Sequence, residues 1–376
     1  MKVKNKKDNY YNNDNKMNNR AVSPILGMVF VMLITLTTWS IIQSTQVPKW
    51  LKTAEIEHSK KVEMSLRKLM EYIDAGSEIS LAIDGVQYPV LPFFLTPPPP
   101  YMSAHFDDRT FTADFNITAE GGKIHHFHFE GNYSALVVEI YYNLIDHEKY
   151  IFEFGKLFKV IGDKAIEIKE AAPSKTNATT FVLLKGDPKN VIASQASMLM
   201  KIKPKSIGSG NAVVNGTIKF QCSDEHMAEM WNESLGKMGF HSKRDGKYVT
   251  VKIGESQTAY NLRFLHYVDE MVEAKYKAKD FAEEPTYSDY ITATSEIKLQ
   301  GVMYTRIDVR VLDQYANPLP GALVKLISEP DCVEAVGLKN KTAVTGSDGV
   351  ATFIIDVTGC PAGEPVNIWF NVTSGG

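Results

Sequence analysis

His125, His126 and His128 crowd into four consecutive positions, and neutral imidazole is a common ligand for zinc and other transition metals. On a strand, His126 and His128 share one face while His125 points to the other. Two ligands from one strand need a third from elsewhere. Asp146 and His147 could offer it, but nothing in the sequence brings them near, so the expectation is a half-exposed polar strand with no metal and no cofactor. The 44 Asp and Glu could contain a glycosidase pair, although sequence alone cannot set two carboxylates at catalytic separation. No G-x-S-x-G, H-E-x-x-H, Walker A run or dinucleotide-binding glycine loop occurs. Gly208-Ser209-Gly210 lacks a following Gly-Lys-Ser/Thr and reads as a turn, and Lys201, Lys203 and Lys205 alternate on one strand face toward solvent. No catalytic residue is assigned.

Covalent chemistry has more candidates. Seven Asn-x-Ser/Thr sequons stand at Asn116, Asn132, Asn177, Asn215, Asn232, Asn340 and Asn371, all on one side of the apolar segment described below, which makes N-glycosylation the expectation for an exported chain. Cys222, Cys332 and Cys360 show no zinc-type spacing. Cys332 and Cys360 fall in one small β-rich stretch and can pair if the compartment oxidises thiols. Cys222 then reads as a small buried hydrophobe.

The elements that must position these residues begin with the N-terminus. Residues 1–20 are polar, rich in Asn and Lys, and expected to be disordered. From Ala21 to Ile42 no side chain is charged, a length that crosses a hydrocarbon layer of about 30 Å. Lys2, Lys4, Lys6, Lys7, Lys16 and Arg20 outweigh Asp8 and Asp14 ahead of it, which puts the head in the cytoplasm and the rest of the chain outside, with Trp39 and Trp50 as interfacial aromatics. Val47-Pro48 marks a break. Ala54, Ile56, Val62, Leu66, Leu69, Met70 and Ile73 then recur at helical spacing, so residues 50–75 form an amphipathic helix stopped by Gly76.

From Glu78 the period becomes two. Ile79 to Ile83 and Gln87 to Leu91 read as a hairpin around Asp84-Gly85, and short strands follow to Phe220. Asp224 to Met238 carries a helical stripe capped by Ser223, and residues 257–279 fit helix and strand equally. The whole is mainly β with an N-terminal transmembrane and amphipathic helix, an α+β middle and a terminal β-sandwich. The formal charge of −3 gives no trap for nucleic acid.

Arg20-Ala21-Val22-Ser23-Pro24-Ile25-Leu26-Gly27, set directly before the apolar run, resembles the N-terminal signature of archaeal type IV pilins and pilin-like proteins. The resemblance implies that a prepilin peptidase removes the head, with Arg20 and Ala21 ending the leader and Val22 opening the mature chain before Ser23 and Pro24. It covers about 25 residues. Leu26 stands where many bacterial-type pilins have Glu, a departure that weighs against filament assembly. Near the other end, Asp313, Pro318 and Gly321, then Thr345, Gly349, Ala351 and Phe353, resemble the connector and strand motifs of immunoglobulin-like surface repeats of the invasin/intimin type and of carboxypeptidase-regulatory-like modules, which implies a stalk or adhesive unit.

The expected organisation is therefore a cytoplasmic leader over 1–21, a transmembrane helix over 22–46, an amphipathic helix over 47–76, a β-rich extracellular domain over 77–280 and an Ig-like sandwich over 296–376. The expected function is non-enzymatic: a single-pass, cell-surface or pilin-like glycoprotein used in adhesion or envelope architecture. Its partners would be the lipid membrane, prepilin peptidase, other pilin-like or surface-layer proteins and a glycan ligand. A membrane-tethered hydrolase and a true type IV filament subunit stay open as alternatives.

Overall fold

The computed structural model describes residues 15–89, 94–118, 124–168, 178–189, 192–208, 210–254, 260–269, 291–293, 304–329, 331–361 and 367–373. Of the expected disorder over residues 1–20, positions 1–14 lie outside them, and positions 15–20 are instead helical. The protein is mainly β with a long N-terminal helix. Helix α1 (Asn15–Ile41) passes through one π turn (Ile42–Gln46) into α2 (Val47–Asp74). The expected break at Val47-Pro48 is thus a π turn just before it, with Pro48 following in the first turn of α2. Likewise α1 starts before the apolar run, because adding residues to an existing helix is far easier than starting one. Gly76, at φ 66°, ends α2 by turning its amide onto the Ile73 carbonyl while Ser77 N–H reaches Tyr72.

The body is one sheet built from β1 (Ile79–Asp84), β2 (Tyr101–Thr118), β3 (Ile124–Tyr141), β4 (Glu148–Glu153), β5 (Lys156–Ile161), β6 (Lys164–Ile168), β7 (Ala178–Lys185), β8 (Ile192–Ser194), β9 (Ser197–Ser206), β10 (Asn211–Gln221), β11 (His241–Asp245), β12 (Tyr248–Ile253) and β13 (Tyr260–Asp269), with α3 (Glu225–Lys237) between β10 and β11. Its main path runs β1-β9-β13-β10-β2-β3-β4-β5-β6. Among the described residues the hairpin expected after β1 is not formed, with 90 and 91 of its second strand outside them: β1 pairs with β9, Ile79 opposite Ile202, and Gly85 passes so close to the Gln195 carbonyl that a Cβ would meet it at 2.1 Å. The equivocal stretch 257–279 is a strand over Tyr260–Asp269, and 257–259 and 270–279 lie outside the described residues.

A long β2–β3 hairpin, in register from Tyr101↔Tyr141 to Thr118↔Ile124, explains the layering. Side chains alternate along it. At its open end the even positions Met102, Ala104, Phe106, Leu136, Val138 and Ile140 meet α2 through Val62, Leu66, Leu69 and Ile73. Toward the tip the odd positions Phe111, Ala113, Phe115, Phe127 and Phe129 meet α3 through Met227, Trp231 and Leu235. The two helices thus cover opposite faces at opposite ends, and β7, between both cores, reads as the unbroken apolar run Phe181-Val182-Leu183-Leu184. Asp224, not Ser223, caps α3, accepting from Met227 N–H at 2.8 Å, while Ser223 donates to Glu153.

The C-terminal part sets β14 (Ile291–Ala293), β15 (Tyr304–Val311), β17 (Glu334–Ala335) and β19 (Val350–Asp356) in one sheet and β16 (Leu323–Glu329), β18 (Thr342–Val344) and β20 (Asn367–Thr373) in another. Val309, Phe353 and Ile355 of the first pack against Val324 and Leu326 of the second. The turn after β15, read above as a connector, is embedded in the body: Leu312, Tyr315 and Ala316 belong to the α3-side core. Asp313 Oδ1 accepts from the amides of Tyr315 and Asn317, and Asn317 Nδ2 donates to Ser206 Oγ and to the Phe264 carbonyl, both at 2.7 Å. Tyr315 and Tyr133 join hydroxyls at 3.2 Å.

His266 packs beside this joint, 5.2 Å from the Tyr315 ring. Burial, with Lys185 and Lys205 nearby, pushes its imidazole down to about 4. The unfolded chain takes up the proton near pH 6.5, so the stability held by neutral His266 is complete above that pH and is lost as pH falls toward 4. The loss amounts to about 3 kcal/mol at most. His266→Gln should flatten that part of the profile, and guanidinium midpoints at pH 7 and 4.5 for both proteins measure it; equal drops would refute the assignment.

Candidate functional site

A buried polar cluster lies where α2 meets the sheet. Its buried stripe runs Val47, Leu51, Glu55, His58, Ser59, Val62, Leu66, Leu69, Met70 and Ile73, so a polar window interrupts an apolar row. The sequence reading put Ile56 on this stripe, but Ile56 is exposed and Glu55 fully buried. Glu55 accepts from the amides of Asn143, Leu144 and Ile145 at 2.9–3.0 Å and from the Tyr88 hydroxyl at 2.5 Å. Its carboxylate fills a nest of amides in the β3–β4 turn.

One turn on, His58 Nε2 reaches the Asp84 carbonyl at 2.5 Å and Nδ1 the Tyr142 hydroxyl at 2.8 Å. A carbonyl only accepts, so Nε2 carries the hydrogen and Nδ1 takes one from Tyr142. Burial also lowers the His58 pKa, in keeping with this neutral form. Ser59 Oγ donates to Glu148, Tyr150 donates to the same carboxylate at 2.9 Å, and Lys159 Nζ pairs with it at 2.9 Å while donating to Ser59 at 3.1 Å. A serine, a lysine and a carboxylate in contact are the parts of a nucleophile. Here the serine hydrogen is given to Glu148, and Ser59 and Glu148 are both buried under the helix. The cluster clamps helix to sheet.

Of the residues singled out from sequence, Arg20, Ala21, Val22, Ser23 and Pro24 all lie within α1. Cys332 and Cys360 form a disulfide, and Cys222 is buried with its thiol held protonated by burial and by Glu153. Asn116, Asn132 and Asn215 share the outer face of the sheet, and Asn116 Nδ2 bonds Asn215 Oδ1 across the β2–β10 pair at 2.5 Å. Asn340, at φ 55°, and Asn371 are exposed. Asn232 lies in α3 with its Oδ1 buried, and Asn177 is outside the described residues.

His126 and His128 do share a face, and their partner is Asp114 of β2, not Asp146 or His147. Its Oδ1 meets His126 at 3.0 Å and its Oδ2 meets His128 at 3.4 Å, and the bond from His126 first of all holds the carboxyl below its usual range. His147 instead stacks on Tyr141 at 4.3 Å. Among the described residues, no three His, Cys, Asp or Glu are disposed to hold a metal ion. What the sequence could not supply was Asp114, which only the β2–β3 register brings opposite His128.

The other distinct region is α1. Every residue from Ile25 to Ile41 is exposed, and the helix is apolar and long enough to cross a membrane. The sequence matches no protein-family model. It is similar to an uncharacterized protein of Archaeoglobus fulgidus, 22% identical over 370 residues, or 95% of this chain and 63% of that protein. A second uncharacterized protein of the same archaeon is 26% identical over 216 residues, 54% of this chain and 82% of its own length. The chain thus spans less than two thirds of the first relative.

Proposed function

We propose that the protein is a single-pass, pilin-like surface protein of the archaeal type IV kind, displaying a β-rich body and a terminal Ig-like module outside the cell for adhesion or envelope architecture. One observation carries this reading: a helix bare of charge and exposed over Ile25–Ile41 continues through a single π turn into α2, whose buried stripe is pinned to the sheet. So much bare apolar surface calls for an apolar surrounding, and lipid supplies it. The basic head favours an exported body. The Cys332–Cys360 bridge suits an oxidising exterior, and the archaeal origin of both relatives suits the Arg20–Gly27 signature.

N-terminal sequencing of the mature protein from its native membrane, combined with protease treatment of intact cells, tests the proposal. We expect a chain starting at Val22 and a body cut away from outside. An intact Met1 would remove the pilin-type processing. A body untouched by protease would remove the display.

A further inference from the structure

We propose that Phe94 and Leu95 make a second contact with the membrane, seated in the outer headgroup region beside α1. The inference rests on α1 lying in lipid, as proposed above. Two observations fix the level of these residues along the helix. The Phe94 ring stacks on Trp39, centroids 6.2 Å apart and planes 18° from parallel. Gln43 Nε2 donates to the Leu95 carbonyl at 3.0 Å, and Leu95 N–H donates back to Gln43 Oε1 at 3.2 Å, so the amide side chain grips one residue of main chain twice. Trp39 and Gln43 are one turn apart, about 6 Å of helix rise.

Depth follows from this placement. A span of about 20 residues crosses the hydrocarbon layer, and counted from Val22 it ends near Ile41, with Trp39 at the boundary where indole rings settle. Whatever is tied to Trp39 and Gln43 shares that boundary. Leu95 is 78% exposed, the most of any large hydrophobic side chain in the described residues. A leucine offered to water while its own backbone is pinned to a membrane helix has a natural place between lipid headgroups. The sequence around it agrees: no Asp, Glu, Lys or Arg occurs from Gly85 to Ala104, so no charge has to be dragged into the interface. With α1 and this loop both seated, the body is held by two points and its tilt on the bilayer is set.

The test uses the full-length chain in phosphatidylcholine vesicles, with and without lipid brominated high on its acyl chains. A small environment-sensitive fluorophore is attached at Leu95→Cys, at Ile34→Cys in α1 and at Leu199→Cys on the body. Cys222 is buried and Cys332 bridges Cys360, so the unsubstituted chain reports background labelling. The label at 95 should lose most of its emission to brominated lipid, and the label at 199 should lose none. A label at 95 unaffected by bromine while that at 34 is quenched would overturn this contact and leave the anchor standing. Quenching at neither position would overturn both. A blue-shifted but unquenched label at 95 would mean that protein, such as a second copy, covers the site, and would also overturn the contact.

Discussion

Glu148→Ala is expected to lower the unfolding free energy of the full-length protein by about 3–5 kcal/mol, the range for removing one partner of a buried ion pair. The carboxylate takes hydrogens from Ser59, Tyr150 and Lys159. Without it, the Lys159 ammonium is left under α2 with the Ser59 oxygen, the Tyr150 ring 5.2 Å from it and the Glu63 carboxylate 3.8 Å away, none of them as close an ionic partner as Glu148. Glu148→Gln keeps an acceptor for the hydroxyls and should do less harm. Replacing both ions, as in Glu148→Met with Lys159→Met, should recover most of the loss, because an apolar pair of similar volume has no desolvation to repay. Guanidinium unfolding in detergent micelles, followed by tryptophan fluorescence, reads all three. If the double variant is no better than Glu148→Ala, the stranded-charge account is wrong.

Phe111→Ala should be comparably severe, about 3–5 kcal/mol for emptying a large buried aromatic site. The ring is fully buried, with the rings of Phe129, Tyr133, Phe154, Phe181, Phe220 and Phe264 at 5.3–6.3 Å. Trp231 of α3 stacks on one of these, Phe181, and meets another, Phe220, edge-on. The cavity should therefore loosen α3 as well as the hairpin, and near-ultraviolet circular dichroism should fall along with the unfolding midpoint. Phe111→Leu refills most of the volume and is expected to stay within about 1.5 kcal/mol of wild type. A small effect of the alanine would mean that the neighbouring rings close over the gap.

Periodicity made both kinds of element legible. The uncharged run gave α1, the 3.6-residue stripe gave most of α2 and α3, and alternation gave most strands. What failed were inferences that needed a partner distant in sequence. Asp84-Gly85 has hairpin chemistry, yet β1 bonds to β9, and that glycine serves a close backbone approach. Short strands were expected as far as Phe220, yet β2 and β3 each run unbroken for 18 residues, with Gly131 opposite Phe111 inside the pair. Glu55, His58 and Ser59 are absent from the apolar stripe read in the sequence, because only the tertiary fold brings the amides, hydroxyls and lysine that make their burial favourable. The Cys332–Cys360 pairing was readable as an option from composition, whereas Asp114 between two imidazoles was not.

The plugged turn after β15 has a mechanical consequence. With Tyr315 sunk among the body's phenylalanines and Asn317 tied to two strands, a tug on the terminal module is handed to the large sheet as a lever hands on a load. From there it passes through the clamp at Ser59, Glu148 and Lys159 into the helix rod, so that bending at the tip is felt as torque at the root.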